Sequence, residues 1–189
     1  MLIAAVIYYF SDVPTLFAFL MPVAAHEMGH FAALSALKLR VRGMRLDMRG
    51  LCIEYTGSAS PLAHALAAAA GPAAGILYAL AAAWVAGRTG SRWASLSAGI
   101  STALTAFNLL PALPMDGGRI FTECCCALLG SRTGGILSRT VGASVGALML
   151  AAGLYAMHEG YGAALEAAAV WVLLAQPEKL GIVNPKEIM

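Results

Sequence analysis

The five residues His26-Glu27-Met28-Gly29-His30 carry the clearest chemical signal in the sequence. Two histidines four positions apart lie on one face of an α-helix, one turn apart, so their rings can reach a single metal ion. A glutamate between them can act as general base on water that such a metal activates. The pattern predicts a zinc site with one ion per chain. The alternative is a buried polar cluster without metal, although ionisable groups in hydrocarbon are costly without a function.

The residues around this motif are apolar. Positions 14–25 and 31–37 contain almost no polar side chain, whereas a helix of a soluble zinc protease has one polar face. The chain of 189 residues is 60% hydrophobic and only 12% charged, with a mean hydropathy of +0.76. Soluble domains carry about 25% charged residues. The composition predicts an all-α polytopic membrane protein that forms a single domain over residues 1–189.

Apolar stretches divide the chain into about six transmembrane segments. These lie at about 1–10, 14–37, 61–87, 93–108, 136–157 and 161–175, with a polar link expected at 119–135. Residues 44–56 alternate between apolar and polar side chains, which predicts a small β-hairpin that turns near Gly50. It should lie at the membrane surface, because an open strand edge cannot face lipid. The hairpin either only connects two helices or offers its edge to an extended peptide.

The basic residues fall mainly on one side of these six segments. Ten of the twelve lysines and arginines would share one side, and only Arg88 and Arg92 would lie on the other. Because cytoplasmic loops are rich in Lys and Arg, both termini and the hairpin are predicted to be cytoplasmic. We therefore expect a multi-pass protein of the cell membrane whose partners include the lipid bilayer. A net charge of +2 gives no indication of a nucleic-acid partner.

The segment Asn108-Leu-Leu-Pro-Ala-Leu-Pro-Met-Asp116-Gly-Gly-Arg119 should unwind a helix at membrane depth, because it holds two prolines and two glycines. Irregular backbone is tolerated there only inside protein or beside a wet cavity. An aspartate in such a stretch is a site hypothesis by default. Asp116 is thus the best third metal ligand, and Asn108 is expected either to donate to a substrate carbonyl or oxyanion or to bond another helix.

The depths of the two motifs agree. His30 lies eight residues before Lys38, which places it roughly 12 Å inside the cytoplasmic boundary at 1.5 Å per residue. Asp116 lies near the same boundary, three residues before Arg119. Both motifs therefore reach a similar depth from the cytoplasmic side, which we expect to be the side of the active site.

Small residues mark the helix between the motifs. Gly71 and Gly75 form a small-xxx-small face that should pack against the metal-bearing helix. His64, near the start of this helix, is expected to be an interfacial histidine rather than a ligand. The four cysteines, which show no metal-binding spacing, are expected to be reduced thiols.

The two motifs together resemble those of the site-2 protease family of intramembrane zinc metalloproteases, and the matching core covers about 14–119. The resemblance implies that His26, His30 and Asp116 bind zinc and that Glu27 is the catalytic acid/base. It implies peptide hydrolysis within or beside the membrane. The family often has a Gly-Pro-x-x-Asn motif in the intervening helix, but Gly75 stands here in the position of the Asn.

The spacing resembles that of one subgroup of the family. About 77 residues separate His30 from Asn108, too few for a PDZ domain and a helix, so the chain looks like the compact sporulation-type and archaeal group. Many members of that group carry a CBS domain, which we do not expect in this chain. The expected substrate is a membrane-spanning or membrane-associated protein, for example a pro-sigma or anti-sigma factor. A separate regulatory membrane protein is an expected partner.

Two other functions would use the same residues. In a metal-ion transporter, His26, Glu27, His30 and Asp116 would form a transport site. In a pseudoprotease the chain would only bind membrane partners. The sequence favours the protease, because it offers one metal site near one face, no second site for relay and an intact set of ligands.

Overall fold

The structure is a computed structural model that describes residues 13–37, 40–47, 50–56, 60–160 and 164–174. Within these ranges it contains six helices and two strands. In chain order they are α1 (Val13–Ala36), β1 (Arg40–Asp47), β2 (Gly50–Thr56), α2 (Pro61–Thr89), α3 (Arg92–Asn108), α4 (Asp116–Leu129), α5 (Ser131–His158) and α6 (Ala164–Leu174). The segment predicted at 1–10 lies outside the described residues.

Two of the described helices are long and apolar enough to cross a membrane. These are α2, with 29 residues, and α5, with 28 residues. The prediction of about six transmembrane segments is thus supported for two of them, and for the others it stays a prediction.

The described chain exposes many large apolar side chains and buries several polar ones. The exposed set includes Met28, Leu77, Trp84, Leu128 and Leu148, and the buried set includes His26, His30, Ser97, Ser101, Thr105 and Asp116. An apolar exterior of this extent is typical of a surface that faces lipid or another protein.

Capping residues explain where α2 begins and ends and where α3 begins. The Ser60 hydroxyl accepts a hydrogen bond from the Ala63 N–H at 3.2 Å, and Pro61 takes the first helical position, which tolerates proline. Gly90, with φ +66°, ends α2 in the left-handed conformation that glycine adopts without strain. The Ser91 hydroxyl then accepts from the Ala94 N–H at 3.3 Å at the start of α3.

Residues 13–33 and 69–108 form one compact unit, built from most of α1, most of α2 and all of α3. Helices α1 and α2 cross closely, because a Cβ on Gly29 would overlap the Ala70 carbonyl and lie 2.7 Å from the Ala74 Cβ. Pro22 lies buried inside α1. The Trp93 Nε1–H of α3 donates to the Pro14 carbonyl at 2.8 Å. Glycine and alanine thus let the helix backbones approach each other, as predicted from the small residues of α2.

A row of buried hydroxyls runs along α3. Ser97, Ser101 and Thr105 follow at intervals of four residues, which places them on one face. Ser97 donates to the Ala18 carbonyl of α1 at 3.0 Å, and Ser101 donates to the Gly75 carbonyl of α2 at 2.9 Å. These bonds tie α3 to both neighbouring helices.

The second compact unit contains the strands and the C-terminal helices of the described chain. Strands β1 and β2 pair antiparallel from Arg40 opposite Thr56 to Asp47 opposite Gly50, with a register shift between Val41 and Gly43. The pairing thus begins four residues before the stretch of 44–56 that showed the strand period in the sequence.

The polar link predicted at 119–135 is wrong, because these residues are helical except at one point. They belong to α4 and to the start of α5, and Gly130, with φ +81°, separates the two helices. A Cβ on Gly134 would lie 2.5 Å from the Cys125 carbonyl carbon, so α5 packs directly on the backbone of α4. The hydroxyls of Thr122 and Ser138 share a hydrogen bond across the same contact.

Candidate metal centre

His26 and His30 lie one turn apart on α1, and both are buried. Their Nε2 atoms are 3.2 Å apart, and the ring planes meet at 80° with centroids separated by 4.9 Å. The two nitrogens therefore converge on one point beside the helix. This is the arrangement that the four-residue spacing predicts.

The separation of these nitrogens fits zinc. When two nitrogens bind the same zinc ion at about 2.0–2.1 Å with a tetrahedral angle between them, the nitrogens lie about 3.3–3.4 Å apart. The observed 3.2 Å is close to this value. The same separation also suits a hydrogen bond between one protonated and one unprotonated nitrogen, which is the alternative of a polar cluster without metal. Imidazole nitrogen is a ligand that zinc prefers, so the donor chemistry matches the predicted metal.

Two glycines of α2 make room for the two imidazoles. A Cβ on Gly71 would overlap the ring of His30, and a Cβ on Gly75 would lie 3.8 Å from the Nδ1 of His26. The histidine rings of α1 thus occupy space that side chains at these two positions of α2 would fill. The small-xxx-small face predicted from Gly71 and Gly75 is confirmed, and its role is more specific than general helix packing.

Glu27 lies between the two histidines and is half-buried, whereas Met28 is exposed. Because successive residues of a helix are about 100° apart, Glu27 can border the histidine face without lying on it. A carboxylate in this position can exchange a proton with a molecule bound beside the two rings.

Asp116 is the first residue of α4 and is 4% exposed. Residues 109–115 before it are not helical, as the two prolines predict. A Cβ on Gly117 would overlap the Leu109 carbonyl, and one on Gly118 would overlap the Ala112 carbonyl, so the loop folds tightly onto the start of α4. These two contacts fix the position of the Asp116 backbone.

Two nearby groups favour a negative charge on Asp116. The Arg119 Nη1 lies 3.6 Å from the carboxylate, and the first turn of a helix carries partial positive charge. His26 and His30 belong to the first compact unit and Asp116 belongs to the second, and each of the three side chains is buried.

Asn108 is the last residue of α3, and its side chain is half-buried. Its Nδ2 donates a hydrogen bond to the Leu104 carbonyl of the same helix at 3.0 Å. The bond that the structure shows is therefore within α3. An amide group carries a second N–H, which leaves a donor for a role toward substrate.

His64 belongs to a different pair. Its Nδ1 lies 3.3 Å from a carboxylate oxygen of Glu123, and both side chains are mostly buried. The expectation that His64 is not a metal ligand stays a prediction. The three cysteines of α4 are free thiols in the structure.

The sequence prediction missed Thr105, whose buried hydroxyl lies beside Gly75. The spacing of Ser97, Ser101 and Thr105 in a mostly apolar helix was a signal that could have singled it out. It also missed that Gly71 contacts a histidine ring.

The sequence was compared with protein-family models and with curated proteins. No protein-family model matches the chain. A protein of Synechocystis sp. that is named as a zinc metalloprotease is 32% identical over 138 residues, which are 69% of this chain and 36% of that protein. The chain thus spans about a third of the length of this curated relative.

Among solved structures, the site-2 protease from Methanocaldococcus jannaschii matches with a TM-score of 0.69 and 19% sequence identity, over 93% of this chain and 83% of that one. The chain therefore has the fold of a site-2 protease, and the resemblance seen in its two motifs is confirmed at the level of the fold. Two of the described helices within this fold are long and apolar enough to cross a membrane.

Proposed function

We propose that this chain is an intramembrane zinc endopeptidase of the site-2 type. The observation that carries the proposal is the pair of buried imidazoles whose Nε2 atoms converge to 3.2 Å, with Glu27 between them, in a chain with the site-2 protease fold. The similarity to a protein named as a zinc metalloprotease supports the same reaction class.

In this proposal His26, His30 and Asp116 hold one zinc ion. Two neutral nitrogens and one carboxylate are a common ligand set of catalytic zinc, which leaves a fourth position for water or substrate. All three side chains are buried, and their nitrogen and oxygen donors are ligand types that zinc accepts. Gly71 and Gly75 allow α2 to pack against the two rings without displacing them.

Bound zinc would polarise water and the scissile carbonyl. Glu27 accepts a proton from the water that attacks the carbonyl carbon, and it delivers this proton to the amine nitrogen as the carbon–nitrogen bond breaks. The second proton of the attacking water also passes to the amine, so the products are a carboxylate and an ammonium group. Asn108 donates its second amide N–H to the substrate carbonyl and stabilises the negative charge that develops on the oxygen.

The proposed substrate is a membrane-spanning or membrane-associated protein, such as a pro-sigma or anti-sigma factor that is released by cleavage. A separate membrane protein regulates access. The edge of the β1–β2 pair is the proposed docking point, because an open strand edge can add an extended peptide by backbone hydrogen bonds. Cleavage also requires an extended peptide, so docking and catalysis select the same conformation.

The proposed topology is multi-pass, with both termini and the active-site side in the cytoplasm. The ten-to-two distribution of basic residues supports it, since such residues are retained on the cytoplasmic side. Reporter fusions on the two sides of α2 and α3 test this orientation.

The decisive experiment is the variant Glu27→Gln, co-expressed with candidate membrane-tethered transcription regulators. Because the amide keeps the shape of the side chain but cannot accept the proton, we expect zinc to remain bound and cleavage to fall by at least about 10²–10⁴-fold. Zinc content is measured on the purified protein, and cleavage is measured by immunoblot.

The matched control is Glu159→Gln, which changes a carboxylate at the exposed end of α5. It should cleave like the wild type. Undiminished cleavage by Glu27→Gln would refute the proposed mechanism. Zinc flux into liposomes without any cleavage would instead identify a transporter.

A further inference from the structure

The hydroxyl of Thr105 does not follow the pattern of its neighbours on α3. Ser97 and Ser101 each donate to a carbonyl of another helix. The Thr105 Oγ1 is buried and has no hydrogen-bond partner among the described residues. A buried hydroxyl without a partner costs about 1–3 kcal/mol. Such a group in an otherwise well-bonded row calls for a functional explanation.

Several other helical threonines of the described chain bond their own helix. Thr102, Thr122 and Thr140 each donate to the carbonyl four residues earlier, at 2.7–3.0 Å. Threonine has two accessible side-chain rotamers in a helix, and one of them forms this local bond. Thr105 does not form it, and its hydroxyl lies beside α2 instead.

Gly75 lies next to both the Thr105 hydroxyl and the His26 ring. A Cβ at position 75 would overlap the Thr105 Oγ1 and would lie 3.8 Å from the His26 Nδ1. The hydroxyl and the outer edge of the His26 ring therefore border the same glycine. Any larger residue at position 75, including the Asn of the family pattern, would take the space between them.

We propose that Thr105 is a positioning residue for His26 and that Gly75 keeps the space for it. This inference rests on the proposed zinc site. The Nε2 of His26 faces the Nε2 of His30, so its Nδ1 is on the far side of the ring. A histidine that binds metal through one nitrogen donates the N–H of the other to a nearby acceptor, which fixes the ring orientation and the tautomer. No hydrogen bond joins the Thr105 Oγ1 and the His26 Nδ1 in this structure. With zinc bound, the Thr105 oxygen would accept the His26 Nδ1–H.

The test compares Thr105→Val, Thr105→Ser and the matched control Thr102→Val. Valine keeps the shape of threonine without the hydroxyl, and serine keeps the hydroxyl. Thr102 is exposed on the same helix and donates to the Ala98 carbonyl. The purified full chain of each variant is titrated with Zn²⁺ and Co²⁺ against a chromophoric chelator, and the absorption spectrum of the Co²⁺ form is recorded.

We expect Thr105→Val to bind both metals about 10–100-fold more weakly and to change the Co²⁺ spectrum. Thr105→Ser should restore most of the affinity, and Thr102→Val should match the wild type. The thermal unfolding of metal-free Thr105→Val should not occur at a lower temperature than that of the wild type, because valine removes an unbonded buried hydroxyl.

Three results would count against this role. Thr105→Val with the affinity and spectrum of Thr102→Val would overturn it, even if cleavage fell. A loss of affinity that serine does not restore, or one accompanied by lower stability of the metal-free protein, would show a purely structural role. If the wild type itself bound neither Zn²⁺ nor Co²⁺ at one ion per chain, the proposed function would fail instead.

Discussion

Replacing Gly71 with alanine tests how closely helix packing and metal binding are connected. A Cβ at this position would lie 2.5 Å from Cε1 and 2.7 Å from Cδ2 of the His30 ring. Carbon atoms in contact are normally about 3.5–4.0 Å apart, so the ring or the helix must move by about 1 Å. The ring has little freedom, because His30 is buried.

The backbone has little freedom as well. Gly29, next to His30, contacts the Ala70 carbonyl, so α1 and α2 cannot slide past each other at this level. Overpacking of a well-filled interior costs about 1–3 kcal/mol. If the imidazole moves, this energy is lost from metal binding, which becomes about 5- to 150-fold weaker at 1.4 kcal/mol per factor of ten. If the helices separate, the same energy is lost from the free energy of unfolding.

The assay measures both quantities. Zinc affinity is determined by competition with a chelator, and stability is determined by thermal unfolding of the metal-free protein in detergent. The matched control is Gly87→Ala in the same helix, where a Cβ would meet nothing within 4 Å. It should leave zinc affinity unchanged and raise stability by about 0.5–1 kcal/mol, because alanine favours the helix. A Gly71→Ala variant that matched this control in both measurements would refute the reasoning.

Two further predictions concern other parts of the chain. Gly134→Ala should lower the stability by about 1–3 kcal/mol in thermal unfolding, because its Cβ would meet the Cys125 backbone, whereas Gly135→Ala, which faces open space, should not. For the topology, a reporter that is active only outside the cytoplasm should be active when fused at Gly90 and inactive when fused at Gly130. The opposite reporter result would reverse the proposed orientation.

The helix boundaries were predictable where an apolar stretch begins near a proline or ends near a glycine. The predicted span of 14–37 appears as Val13–Ala36, and that of 61–87 appears as Pro61–Thr89. Proline at a helix start and glycine at a helix end account for this agreement. The histidine pair was predictable for a different reason, because the spacing of two residues within one helix fixes their mutual position without any knowledge of the rest of the fold.

Helix α4 could not be predicted in the same way. Its first residues are Asp116, Gly117 and Gly118, and glycine pairs usually indicate a break in a helix. Here they are needed because the preceding loop lies against the helix backbone and leaves no space for side chains. The choice between a glycine that breaks a helix and one that allows close approach depends on contacts that are distant along the chain.

Thr105 was missed for a related reason. A threonine in an apolar helix usually bonds its own backbone and carries no information about function. The different role of Thr105 becomes visible only when the neighbouring glycine and histidine are placed beside it. Sequence spacing therefore predicted the histidine pair, whereas Thr105 could be proposed as a positioning residue only from the fold.

The hydroxyl row of α3 has a consequence for how the protein enters a membrane. This helix has only 17 residues and is not among the two described helices that are long and apolar enough to span a membrane by themselves. Its serines bond carbonyls of α1 and α2, so part of their polarity is satisfied only when these helices are present. We therefore expect α3 to enter the membrane after its two partner helices or together with them. The serines that hold the three helices together would thus also set the order in which the helices insert.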